Sequence, residues 1–172
     1  KDPFYLLFFL IGIALLPFLA VMVTSFTKIA VVLSITRQAL GMPQTPPNIV
    51  IMSLAIILTC FSMYPVAQEI YEKGDFSNLT KENGAEALIN VARSAEQPMK
   101  NYLTTHSKDE DKQLFLQVIN SKNTIKPVAA EDAIILAPAF LISELSLAFQ
   151  MGFLVYLPFL VIDMTVANLL MA

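Results

Sequence analysis

The sequence predicts an all-α protein built from long apolar helices and helical hairpins that carry a helical polar insert. Three observations predict it. Positions 3–27 and 38–68 hold no charged residue, and 133–172 hold only Glu144 and Asp163. Nineteen of the 25 charged residues (11 basic, 14 acidic) fall within 68–132. Finally, no run alternates apolar and polar residues for long enough to make a half-buried strand.

Taken in order, 4–27 is a charge-free run long enough to cross a hydrocarbon layer about 30 Å thick at 1.5 Å per residue. Pro17 at its centre is expected to kink it. A cleaved leader is the poorer reading, because the apolar run is too long, no small-x-small site follows and Lys28 lies on the wrong side. The chain begins at Lys1 without Met, so further N-terminal residues are expected. Residues 1–67 then read as an apolar helical hairpin whose second arm is 49–67, with Pro65 bending its end. The 28–48 connector carries Lys28 and Arg37 and no acid, which the positive-inside rule assigns to the cytoplasmic side. Gly41, Pro43, Pro46, Pro47 and Asn48 make it a stiff corner rather than a floppy linker. It reads either as a helix-to-helix corner or as a docking surface for a cytoplasmic partner.

The insert 68–132 falls on the outer side. Leu88, Val91, Ala92, Ala95, Met99, Tyr102 and Leu103 recur at helical spacing, with a restart expected near Pro98. Ser107 and Glu110 read as a capping box opening a second helix, with Leu114, Phe115, Val118 and Ile119 inward. Asn123 to Pro127 makes the connector back. The last region, 133–172, is about 60 Å long as one helix, twice the thickness a span needs. Gly152 and Pro158 predict two halves, 134–151 and 153–172, folded as a hairpin.

Composition excludes several functions. With 56% apolar residues and a net charge of −3, the chain lacks the cationic face of a nucleic-acid binder. One Cys makes no internal disulfide; Cys60 reads as a buried small residue. No phosphate-binding loop, no H-E-x-x-H and no paired Cys/His spacing is present, so no cofactor, metal or catalytic residue is assigned. His106 reads as a solvated turn residue, and 108–112 as a solvated helix start without the spacing of a calcium loop. Asn78-Leu79-Thr80 fits a glycosylation sequon of the kind that arises by chance.

The informative polar groups lie inside apolar sequence. Glu144 or Asp163 facing lipid at mid-membrane costs on the order of 2.5–3.5 kcal/mol. Lys28 and Arg37, nine residues apart, point about 180° away from each other on a straight helix. Three readings compete: interface charges pairing these bases with these acids, a proton or ion pathway, and a catalytic carboxylate pair. No second titratable cluster supports the last.

Three blocks of residues then resemble the FliP/SctR family. They are Thr24-Ser25-Phe26-Thr27-Lys28-Ile29-Ala30-Val31-Val32-Leu33 with Arg37-Gln38-Ala39-Leu40-Gly41 and Pro46-Pro47-Asn48; Ala95-Glu96-Gln97-Pro98-Met99-Lys100; and Ser143-Glu144-Leu145 through Ala148-Phe149-Gln150-Met151-Gly152-Phe153 to Leu157-Pro158-Phe159-Leu160-Val161-Ile162-Asp163. The wording around Pro158 resembles the virulence (injectisome) branch more than the flagellar one. The resemblance implies a non-enzymatic export-gate subunit of bacterial type III secretion, in the inner membrane. It implies a pentameric ring with a central pore, built with two other small export-gate proteins and partnered by larger export proteins with cytoplasmic domains and by membrane lipid. Unfolded substrate proteins pass through that pore. It also implies that the apolar helices pack largely on each other in an assembly raised toward the periplasm. A Met-rich loop and a further hairpin arm follow Asp163 in the family, whereas this sequence stops at Asn168-Leu169-Leu170-Met171-Ala172, so a trimmed chain is expected. The competing function is an ion- or proton-conducting transporter using Glu144 and Asp163.

Overall fold

A computed structural model describes residues 3–42, 44–74, 84–122 and 127–172. These residues form seven helices and no strand: α1 (Pro3–Val23), α2 (Phe26–Ala39), α3 (Asn48–Ser62), α4 (Tyr64–Lys73), α5 (Gly84–His106), α6 (Asp109–Lys122) and α7 (Ala133–Met171). The fold is all-α.

α1 runs through Pro17 without ending. The turn comes seven residues later, where Leu10–Val23 and α2 meet at 64°. Hydroxyls make that break possible, because they satisfy carbonyls that a helix end leaves bare. Thr24 donates to the Ala20 carbonyl at 2.7 Å, and Thr27 to that of Val21 at 3.0 Å. Pro65 does mark a bend. It lies in the first turn of α4, where its missing N–H is not needed, and α3 and α4 meet at 50°.

α2 ends in a Schellman motif. The Met42 N–H donates to the Arg37 carbonyl and the Gly41 N–H to that of Gln38, at 3.4 and 3.0 Å. Gly41 sits at φ +69°, a left-handed position where a side chain is strained. Pro43 lies outside the described residues, as do Asn78-Leu79-Thr80, 123–126 and the side chain of Leu88.

Three expectations about the insert change. α5 passes through Pro98 without restarting, and that proline is fully buried. The capping box does not form: the Ser107 hydroxyl donates back to the Leu103 carbonyl at 2.7 Å, closing α5 rather than opening α6. On α6, Leu114 and Val118 are exposed, whereas Phe115, Ile119 and the unexpected Leu116 are half-buried. The half-buried stripe of α6 thus takes in Leu116 and leaves out Leu114 and Val118.

The largest correction concerns 133–172. It is one continuous helix, not a hairpin, and neither Gly152 nor Pro158 interrupts it. At 1.5 Å per residue its 39 residues extend about 58 Å. A helix-interior glycine costs only about 1 kcal/mol, too little to outweigh a long packed face. Gly152 instead marks close approach. A Cβ there falls 2.9 Å from Ile35 Cγ2 and closer still to Ile35 Cδ1.

That packed face reads Ile135, Leu136, Ala139, Phe140, Ser143, Glu144, Ala148 and Gly152, a single stripe at helical spacing. α2 lies along it, and α3, α5 and α6 flank the pair. Tyr102, Leu103, Leu136 and Phe140 form the core, with Val23, Met63, Val66 and Met99 packed against them. The core therefore sits where the two bends meet the end of α5.

Much apolar surface stays outside. The accessible area is 12329 Å² for 19.0 kDa, against about 8,400 Å² for a compact soluble monomer of that mass. Phe8 and Phe18 on α1 and Leu169 to Met171 on α7 are among the most exposed side chains. α7 alone is long and apolar enough to cross a membrane; counting each bent pair as one span raises the number to three among the described residues.

Candidate functional site

The break after α1 turns Lys28 inward, toward the buried face of α7. Its ammonium donates to Glu144 Oε1 at 3.0 Å and lies 2.8 Å from Oε2, in ion-pair contact but outside hydrogen-bond alignment. Glu144 is 1% exposed and Lys28 22%, so the acid is sealed and the base reaches toward solvent. A carboxylate buried this deeply is tolerable only with such a partner.

Arg37 does otherwise. Its Nη1 donates to the Pro46 carbonyl at 3.1 Å and to Asn48 Oδ1 at 2.6 Å, fastening the end of α2 to the Pro-rich connector. Asp163 lies 19 residues beyond Glu144 on the same helix, about 28 Å away. It is exposed and meets no partner among the described residues. Of the four singled-out charges, the chain brings together Lys28 and Glu144 only.

Several participants carried little signal in sequence. Ser143 is completely buried beside Glu144 and faces the α5–α6 turn. Its hydroxyl donates to Asp111 Oδ2 at 2.6 Å and accepts from the Lys108 N–H at 2.9 Å. Asp111 is thus a tether to α7, not a solvated helix-start acid. Tyr102 packs tilted against Phe140, with ring centres 5.6 Å apart, and against His106 at 4.2 Å. Burial, then the Glu144 carboxylate, push its phenol up to about 12; the nearby Ser25 hydroxyl offsets part of the rise without meeting hydrogen-bond geometry. His106 is exposed, with Nδ1 on the Tyr102 carbonyl at 2.9 Å. Cys60, expected inside, is exposed on α3, on a face that packs against no other helix among the described residues. A polar residue in an apolar run flags Ser25 and Ser143, but a lone serine is too common to be read as more.

No group of His, Cys, Asp and Glu that could hold a metal occurs among the described residues. What the fold presents is scaffolding: a rigid helix pair pinned by one internal ion pair, a fastened connector and wide apolar faces. That defines an all-helical membrane-type protein whose outer surface exceeds what one chain can cover. Residues 9–172 match the FliP family, and the chain belongs to it. It is 40% identical over 168 residues to the hypersensitivity response secretion protein HrcR of Ralstonia nicotianae, covering 94% of this chain and 76% of that one. It is 37% identical over 176 residues to the Yop proteins translocation protein R of Yersinia pestis, covering 99% and 80%. It is 36% identical over 172 residues to the flagellar biosynthetic protein FliP of Aquifex aeolicus, covering 99% and 71%. Flagellar and virulence relatives match it to similar degrees.

Proposed function

We propose that this chain is a pore-forming export-gate component of a type III secretion apparatus, passing unfolded proteins across the bacterial inner membrane. Membership of the FliP family supports the class. The observation that carries the rest is the surface left bare by a single chain, in total close to half again what a compact monomer of this mass exposes, with large apolar side chains of α1, α3 and α7 prominent in it. Identical neighbours around a conduit, a pentamer in this reading, cover such faces, and the two other small export-gate subunits extend the wall. Lys28 and Glu144 hold each subunit's own bend. Arg37 stiffens the connector for a larger partner with a cytoplasmic domain, and the insert 68–132 lies on the periplasmic side. Asp163 meets a basic group of a neighbouring subunit. The chemistry is passage rather than catalysis.

A proton or ion relay through Glu144 and Asp163 fits less well. The two carboxylates stand about 28 Å apart on one helix, and Glu144 is closed off by Lys28. Imaging the full-length protein purified in mild detergent tests the proposal. A closed ring with a central lumen is expected; a stable solitary chain in lipid, without a lumen, overturns it.

A further inference from the structure

Where α1 approaches the insert, one chain forms a groove for which secretion supplies no role. Leu19 and Val23 of α1, Met99 and Leu103 of α5, and Leu136 and Ala137 of α7 line it, enclosing about 450 Å³. That lies within the range of sites that take small amphiphiles, about 300–1,000 Å³. Charged side chains also border it: Glu96, Lys100, Glu131 and Asp132. Lys100 meets Glu131 loosely, at 3.5 Å with Glu131 largely in solvent. Asp132 commits one carboxylate oxygen to the Ala129 N–H at 2.9 Å.

We infer that this groove holds an acyl chain of a zwitterionic phospholipid with a primary-amine headgroup. The border carries one cation and three carboxylates. A phosphate accepts from the three N–H donors of Lys100, and an ammonium next to it donates to the carboxylates. One molecule that brings both charges on an apolar tail matches apolar wall and mixed border together. An anionic headgroup meets the carboxylate excess and is repelled. The groove also lies where the charge-free sequence of α1 and α7 meets the charged insert, and the exposed Leu15 and Leu16 stand four and three residues before Leu19, on its side of α1. Within the insert, Glu96, Met99 and Lys100 belong to one of the sequence blocks that carry the family resemblance. The groove is complete in a single chain, so this inference stands or falls apart from the ring.

The test is made on full-length protein purified in mild detergent from membranes of mixed phospholipid. Organic extraction and mass spectrometry then count phosphatidylethanolamine and phosphatidylglycerol per chain. The amine lipid is expected to be enriched over its share of the bulk membrane. Ala137→Trp fills the groove and lowers bound amine lipid about tenfold, equivalent to about 1.4 kcal/mol. Lys100→Glu, on a partly exposed side chain that leaves packing intact, removes the phosphate partner and abolishes the enrichment. Amine lipid at its bulk proportion, or enrichment that survives Lys100→Glu, overturns the inference. So does a photo-crosslinker at Met99 that captures a second copy or another protein instead of lipid.

Discussion

At the scale of single residues, the two glycines Gly152 and Gly12 make opposite predictions from the same substitution. Ala is favoured over Gly inside a helix by about 1 kcal/mol. At Gly12 a Cβ meets nothing within 4 Å, so Gly12→Ala is expected to gain most of that amount. At Gly152 the same methyl drives into Ile35, and overpacking a fitted contact costs typically 1–3 kcal/mol. The cost exceeds the propensity gain, and Gly152→Ala is expected to lower the melting temperature. Adding Ile35→Ala, which removes the colliding atoms, should restore part of the loss. Thermal unfolding in one detergent checks all three variants; a Gly152→Ala protein as stable as Gly12→Ala shows that the helices do not approach this closely.

Between elements, the Lys28–Glu144 pair decides how α2 sits on α7. Removing one partner from a buried pair costs about 3–5 kcal/mol, whereas replacing both by apolar side chains of similar volume is often neutral. Lys28→Met and Glu144→Met are each expected to lose folded protein, and the double variant to recover near-normal melting. A double variant as damaged as the worse single one means that the charges do more than compensate each other. This pair also marks how far sequence reaches. Charges stranded in apolar stretches flagged Glu144 and Lys28, because burial without a partner is so costly. The choice between Lys28 and Arg37 was not legible, since it depends on the 64° turn at Thr24 and Ser25, which hydroxyl-to-carbonyl bonds make and no proline announces. Pro98 looked like a restart yet lies buried inside a continuous helix. Gly152 looked like a hinge and is a contact point. In each case tertiary packing outweighed a local preference of about 1–3 kcal/mol. The tether through Ser143 and Asp111 joins residues 32 apart, a pairing invisible to any local pattern.

For the whole molecule, what matters is what the chain leaves uncovered. Asp163 stands among the exposed Val161, Ile162 and Met164 at the far half of α7, where α2 no longer follows. Left against lipid it costs on the order of 2.5–3.5 kcal/mol; against a basic group of a neighbour it stabilises the contact instead. The two environments respond differently to charge reversal. Asp163 is exposed and meets no partner among the described residues, so with Asp163→Lys the melting of the isolated protein should shift by no more than an exposed substitution does, about 0.5 kcal/mol. Assembly should suffer, because like charges then face each other across the subunit contact. Native electrophoresis of the purified complex is expected to show loss of the large species. A matching basic-to-acidic change in a neighbouring subunit should bring it back. Asp163→Asn separates this from a relay, which needs a titratable group: an amide that still assembles but no longer conducts favours the relay, whereas weakened assembly favours the pair. If Asp163→Lys assembles as well as the natural chain, the carboxylate faces water rather than a neighbour, and the far half of α7 borders the conduit instead of the subunit seam.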